Sequence, residues 1–279
     1  MVTISIMMLM IMQCSHGAAV GGPRRVPAMF VFGDSLVDVG NNNFLTSLAK
    51  ADYYPYGCDF SSGPTGRFTN GETFVDMLGR MLGIPYLPAF ADPTAVGTRL
   101  LNGVNYASAA AGILDETGRH YALYNVGLKK FVLAGVGPLG CIPNQRASSE
   151  APPGRCVDHV NQILGSFNEG LRSLVNQLNT NHSDAIFAYG NTYAAFGDII
   201  NNPATYGFSV ADRGCCGIGL NQGQITCMPL QIPCQNRSQY VFWDAFHPAE
   251  VANAHLAWRA FSGPPSDCYP INIQQMALL

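Results

Sequence analysis

Four short runs of apolar residues constrain the fold of this chain more than any other feature of its sequence. The runs are apolar almost without interruption, whereas a strand with one face in water alternates apolar and polar side chains. Uninterrupted runs of this length are typical of strands covered on both faces, as in a parallel sheet. The predicted strands cover residues 28–32, 103–107, 131–136 and 185–189.

Helical patterns lie between and after these strands. Apolar residues recur at helical spacing over residues 73–82 and 159–178, and a last helix is predicted from about Pro248 to Phe261. Strands that alternate with helices indicate an α/β fold, with functional groups at the carboxyl ends of the strands. Because no repeat or linker interrupts the pattern, residues 20–279 are predicted to form a single domain.

The composition narrows the class of partner. The chain has a formal net charge of −3 and no long run of lysine or arginine. A nucleic-acid-binding surface needs concentrated positive charge, so nucleic acid is not an expected partner. Apolar residues make up 48% of the chain and charged residues 12%, which favours an ordered protein over a disordered one.

The first nineteen residues are predicted to be a signal peptide. A short apolar run precedes Gly17-Ala18-Ala19, and this run is too short to span a membrane. The alternative is a buried amino-terminal segment. We therefore expect a secreted protein whose mature chain has no integral membrane span, and the sequons at Asn181 and Asn236 fit a glycoprotein.

The cysteines support the same compartment. Removal of Cys14 with the signal leaves an even number, and disulfides are the default in an oxidising environment. No repeated Cys-x-x-Cys spacing predicts a zinc site, and residues 213–234 are predicted to be a disulfide-tied loop. The eight remaining cysteines are Cys58, Cys141, Cys156, Cys215, Cys216, Cys227, Cys234 and Cys268.

Two distant motifs carry catalytic chemistry. Gly33-Asp34-Ser35 follows the first predicted strand, and Asp244 precedes His247 by three residues. A serine hydroxyl needs a base to take its proton, and that base needs a third group to orient it. The spacing lets one turn bring Asp244 to one imidazole nitrogen while the other nitrogen faces Ser35. The alternative for this pair is a loop aspartate and a surface histidine.

The remaining polar residues near Ser35 have simpler interpretations. Asp34 is predicted to organise the turn after the strand through hydrogen bonds from its side chain to the backbone. The run of three asparagines at residues 41–43 is predicted to serve as turn or cap chemistry and not as a ligand set.

Several ordered motifs together resemble the plant GDSL esterase/lipase family. The resemblance extends over about residues 27–262, and the motifs lie at residues 32–36, 64–71, 103–108, 135–141 and 242–248. This family belongs to the SGNH hydrolases, so the resemblance implies a three-layer α/β/α, flavodoxin-like architecture with a parallel sheet. It also implies that Ser35 is the nucleophile, His247 the general base and Asp244 the acid that orients it.

The resemblance also implies an oxyanion hole. Its donors are the backbone N–H of Ser35, the backbone N–H of a glycine after the second strand, and an asparagine amide. Gly112 is the predicted glycine; the alternative is that Gly112 only permits a tight turn. In the family the asparagine belongs to a Gly-x-Asn-Asp motif after a third strand, and this motif occurs nowhere in the chain.

An internal segment is therefore predicted to be missing, with the join near Tyr121 and Ala122. In a sheet of order 2-1-3-4-5, the third strand is central. Its loss leaves a gap, or the strand at residues 131–136 moves beside the first strand and forms a narrower sheet. Such a move would bring Asn144 nearer to the site as a substitute donor.

The leading functional hypothesis is a secreted serine carboxylic-ester hydrolase that acts on a small acyl ester or lipid. Neither a metal nor an organic cofactor is expected. One alternative is a catalytically impaired pseudoenzyme or binding protein, which the missing asparagine favours. The other is a non-functional, internally deleted isoform.

Overall fold

A computed structural model describes residues 26–112, 127–148, 150–151 and 154–279. The predicted signal peptide at residues 1–19 and the predicted join near residues 121–122 lie outside these ranges. In the described part of the chain, no helix has both the length and the apolar character needed to cross a bilayer.

The chain alternates strands and helices, which confirms the predicted α/β class. Each of the four predicted strands and three predicted helices is present, with ends shifted by a few residues. The strands are β1 Met29–Val31, β2 Gly103–Asn105, β3 Lys130–Ala134, β4 Ile186–Gly190, β5 Val210–Gly214, β6 Tyr240–Phe242 and β7 Cys268–Tyr269. The helices are α1 Phe74–Leu82, α2 Pro143–Arg146, α3 Asp158–Asn181, α4 Thr192–Asn201, α5 Glu250–Ser262 and α6 Ile273–Leu278.

Within the described residues the strands form three separate sheets. Strand β1 pairs in parallel with β2, and β5 pairs in parallel with β6. Strand β3 pairs in parallel with β4, which pairs on its other side with the antiparallel β7. Within the described residues no ladder joins β1 to β3.

For a lost central strand the sequence left two arrangements open, a gap or a place for β3 beside β1. In the described part of the chain β3 pairs with β4 and not with β1. The reason is packing: β3 pairs with β4 along five residues, and its Phe131 and Leu133 pack with Phe187 and Tyr189 in a cluster that includes residues of α3. A shift of β3 towards β1 would expose this apolar cluster to water.

Two buried clusters position the carboxyl ends of β1 and β6. In the first, Val31 of β1 and Ala188 of β4 belong to one cluster with residues of α1, α5 and α6. In the second, Phe242 of β6 packs edge-on against Phe196 of α4. The segment that follows β6 therefore begins at a well-packed strand end.

A buried ion pair anchors the segment before α1. Thr73 caps this helix in a reciprocal capping box with Asp76, and the guanidinium of Arg67 contacts both carboxylate oxygens of Asp76 at 2.8 Å. Both charges are almost fully buried, so either one without its partner would be strongly destabilising. Phe68 follows Arg67 in the chain, and its ring centroid lies 5.1 Å from that of the His247 imidazole.

Three disulfides confirm the prediction of bridged cysteines. Two of them close the segment at residues 213–234, which is the predicted disulfide-tied loop. The third joins the residues before α2 to those before α3. Cys58 and Cys268 form no bridge, so the even set of eight is not fully paired. The bridges are Cys141–Cys156, Cys215–Cys234 and Cys216–Cys227.

Candidate active site

Ser35 lies in a tight turn just past the end of β1. The Asp34 carboxylate accepts a hydrogen bond from the Leu36 N–H at 2.9 Å, and the Asp34 carbonyl accepts one from the Asp38 N–H at 3.1 Å. Asp34 therefore organises the turn, as predicted. A side chain at Gly33 would place its Cβ 2.6 Å from Val37, so a close approach requires glycine there.

Buried polar side chains tie this turn to the loop after β2. The Asp38 carboxylate accepts hydrogen bonds from the N–H groups of Gly40 and Asn41 at 2.8 Å and of Ala109 at 3.0 Å. Burial raises the pKa of the Asp38 carboxyl, and these hydrogen bonds oppose the rise. The Asn41 amide donates to the Ala107 carbonyl at 2.8 Å, so the asparagine run cross-links two loops as well as forming its own turn.

The segment after β6 carries the other two groups. Asp244 is fully buried, and one of its oxygens accepts hydrogen bonds from the backbone N–H groups of Phe246 at 2.9 Å and His247 at 2.8 Å. These hydrogen bonds close the turn at residues 244–247 and hold the imidazole of His247 against the Asp244 carboxylate. His247 Nδ1 lies 2.8 and 2.9 Å from the two carboxylate oxygens.

The structure brings all three sequence-predicted residues together. The Nε2 atom of His247 lies 2.8 Å from Ser35 Oγ, across 212 positions of sequence. Because an ionised carboxylate only accepts hydrogen bonds, Nδ1 of His247 carries the proton and Nε2 is free to accept one from the serine hydroxyl. This is a hydrogen-bonded chain from a hydroxyl through an imidazole to a carboxylate.

Two further hydroxyls contact the same carboxylate. The Tyr56 hydroxyl donates to Asp244 Oδ2 at 2.6 Å, and the Thr226 hydroxyl donates to the same oxygen at 2.8 Å. Burial alone would raise the pKa of Asp244, but its attraction to His247 and its hydrogen bonds bring that pKa below the ordinary value. Neither hydroxyl was predicted, because no spacing in the sequence relates Tyr56 or Thr226 to Asp244.

The loop that carries Gly112 lies beside the serine turn. The Ser108 N–H donates to the Gly33 carbonyl at 3.0 Å, and the Ser108 carbonyl accepts from the Ala111 N–H at 3.0 Å. Gly112 follows this turn directly. Asn144 is engaged elsewhere: its side-chain amide donates to the Gly223 carbonyl at 3.0 Å.

The surroundings of Ser35 are apolar and partly open to solvent. Leu36 and Phe246, the direct neighbours of Ser35 and His247, are each more than two-fifths exposed. Phe32, three residues before Ser35, stacks on Tyr106 with ring centroids 5.1 Å apart, and the ring centroid of Phe90 lies 4.7 Å from that of Tyr106. An apolar rim of this kind suits the hydrocarbon part of a substrate.

An α/β fold with a Ser–His–Asp chain past the ends of its strands is the arrangement of a serine hydrolase. The model of the GDSL-like lipase/acylhydrolase family matches residues 29–126 and 119–259. The Arabidopsis thaliana protein GDSL esterase/lipase At1g71250 is 52% identical to this chain over an alignment of 341 positions. The alignment includes 93% of this chain and 91% of that protein. A second Arabidopsis thaliana protein, GDSL esterase/lipase At5g08460, is 45% identical over an alignment of 338 positions that includes 91% of this chain and 88% of that protein.

The chain therefore belongs to the GDSL lipase/acylhydrolase family, whose members are ester-bond hydrolases.

Proposed function

We propose that this protein is a secreted carboxylic-ester hydrolase in which Ser35, His247 and Asp244 form the catalytic triad. The observation that carries the proposal is the 2.8 Å contact between Ser35 Oγ and His247 Nε2, with Nδ1 of the same ring on Asp244. This geometry meets the requirement for a nucleophile within hydrogen-bond reach of its base and for a base oriented by a third group.

In the proposed mechanism, Ser35 Oγ attacks the ester carbonyl carbon while His247 Nε2 takes the hydroxyl proton. Asp244 orients the imidazole and stabilises the imidazolium that forms. The backbone N–H groups of Ser35 and Gly112 donate to the developing oxyanion. His247 then protonates the departing alcohol, and a water molecule, deprotonated by the same nitrogen, releases the acid from the acyl-enzyme.

The substrate class follows from the rim of the site. Apolar side chains flank both the proposed nucleophile and the proposed base, which favours acyl esters over highly charged substrates. Secretion is supported by the three disulfides and by the signal-like residues 1–19.

The test is hydrolysis of a short-chain nitrophenyl ester by the full chain and by its Ser35→Ala variant. We expect the substitution to lower kcat by at least about 10³-fold, because it removes the nucleophile. Ser61→Ala, at an exposed loop serine, is the matched control and should retain full activity. Equal activity of Ser35→Ala and the parent protein would exclude the proposed mechanism.

A second candidate function is a family member with impaired turnover, because we also propose that an internal segment is missing. Two observations support this. The alignment with the 52% identical relative extends over 341 positions, more than the 279 residues of this chain. The family model matches in two pieces, one up to residue 126 and one from residue 119. A soluble, cooperatively folding protein without Ser35-dependent hydrolysis would favour this candidate.

A further inference from the structure

We propose that Tyr56 and Thr226 are positioning residues that act on Ser35 through Asp244 and His247. The proposal rests on the proposed triad and adds two residues to it. Neither hydroxyl contacts Ser35; both contact the carboxylate that orients the base. Their role is to set the direction of Asp244 Oδ2 and to keep this carboxylate charged.

The hydrogen bonds to Asp244 divide between its two oxygens. Oδ1 accepts from the backbone N–H groups of Phe246 and His247, which belong to its own turn. Oδ2 accepts from Tyr56 at 2.6 Å and Thr226 at 2.8 Å. The backbone contacts therefore hold one oxygen, and the two hydroxyls hold the other, so rotation of the carboxylate breaks hydrogen bonds on both sides.

The two hydroxyls come from independent parts of the chain. Tyr56 is separated from Asp244 by 188 positions and lies in a buried aromatic cluster with Phe68 and Trp243. Thr226 precedes Cys227, whose bridge to Cys216 closes the loop beside Asp244. The two hydroxyl oxygens also lie 2.8 Å from each other. Two donors from separate segments, in contact on one carboxylate oxygen, give the carboxylate a direction that its own turn does not determine.

Burial makes these donors necessary. The Asp244 carboxylate has no exposed surface, and an ionised carboxylate out of water needs charge-assisted hydrogen bonds to stay ionised. Burial, followed by the negative charge of Asp244, raises the pKa of the Tyr56 phenol. Tyr56 therefore keeps its proton and remains a donor over the working range of the protein.

The alternative is that Tyr56 only fills space in the aromatic cluster. Two substitutions separate these roles. Tyr56→Phe keeps the ring and removes the hydroxyl, and Thr226→Val keeps the shape and removes the other donor. The matched control is Tyr86→Phe, because the hydroxyl of this tyrosine donates to the Glu72 carboxylate at 2.7 Å and not to Asp244.

Two readouts are measured on the purified full chain. The first is the rate at which a fluorophosphonate labels Ser35, with its Oγ–phosphorus bond formed as fluoride leaves and His247 takes the proton. The second is the downfield proton resonance of the hydrogen bond between His247 Nδ1–H and Asp244. The resonance needs no turnover, so it tests the positioning role even if the proposed hydrolase activity is absent.

We expect Tyr56→Phe and Thr226→Val each to slow labelling about 10-fold, since each removes a hydrogen bond to a charged group. Both should displace the downfield resonance and lower kcat with little change in KM. Thr226→Ser should restore the parent values, and Tyr86→Phe should match the parent throughout.

The proposal is overturned if Tyr56→Phe and Thr226→Val lower the melting temperature but leave the labelling rate of the folded protein and the resonance unchanged. If Tyr56→Phe does not fold, the comparison of Thr226→Val with Thr226→Ser decides the question. If the parent protein shows the resonance but is not labelled, the proposed function fails while the positioning role is still tested by the resonance.

Discussion

Asp34 and Asp244 are the same side chain in opposite settings. Asp34 accepts a hydrogen bond from the backbone of its own turn and is partly exposed, whereas Asp244 is fully buried and contacts an imidazole. The neutral amide of asparagine can take over the first role through its oxygen. It cannot take over the second, because the imidazolium formed during the reaction needs a negative partner.

We therefore expect Asp244→Asn to lower kcat about 10³–10⁴-fold and Asp34→Asn to lower it less than about 10-fold. The measurement is nitrophenyl-ester hydrolysis by each variant, with circular dichroism to verify folding. If Asp34→Asn lost as much activity as Asp244→Asn, the assignment of the orienting role to Asp244 and not to Asp34 would be contradicted.

At the scale of elements, the loop at residues 213–234 does more than connect β5 to β6. Its Cys216–Cys227 bridge ends one residue after Thr226, whose hydroxyl contacts Asp244. Without this bridge the loop has more conformational freedom. Formation of the hydrogen bond from Thr226 to Asp244 would then carry the entropic cost of ordering the loop. The bridge links the stability of a surface loop to the geometry of the buried carboxylate.

Replacement of both Cys216 and Cys227 by serine should lower the free energy of unfolding by about 2–4 kcal/mol. It should also lower kcat at temperatures where the variant is fully folded. The control is serine at both Cys141 and Cys156, a bridge of similar span with no direct contact to Asp244, which should lose similar stability and retain kcat. Thermal denaturation and ester hydrolysis test both; equal kcat in the two variants contradicts the link.

At the scale of the whole molecule, the separation of β1 from β3 exposes apolar surface. Phe32, directly after β1, is 43% exposed, and so is Val132 on β3. In a three-layer fold, strands near the centre of the sheet are normally covered on both faces. The exposure of Phe32, three residues before Ser35, fits the proposed loss of an internal segment.

Insertion of the corresponding segment from the 52% identical relative between Tyr121 and Ala122 tests this proposal. We expect a higher melting temperature and weaker binding of a hydrophobic dye, because apolar surface is removed from water. A restored asparagine donor should raise kcat about 10²–10³-fold. A glycine–serine insert of equal length is the control, and equal effects from both inserts would contradict the proposal.

The addition of Ser35 to the predicted site came from the ordered motifs of the family resemblance. Local patterns alone were sufficient for the α/β class, the four principal strands and the pairing of Asp244 with His247. These features depend on local patterns: an unbroken apolar run, a helical period, and the three-residue spacing of an aspartate from a histidine. Such patterns can be recognised along the chain because the interactions that they produce are formed by near neighbours or by a whole apolar face.

The tertiary structure decided what local patterns do not contain. It placed Tyr56 and Thr226 on Asp244, left Cys58 and Cys268 unbridged, and kept β3 with β4 instead of beside β1. Each outcome depends on which distant segments pack together. The Tyr56 hydroxyl, 188 positions away, reaches the buried carboxylate because its ring packs against Trp243, the residue before Asp244. Nothing in the spacing of the sequence encodes that contact.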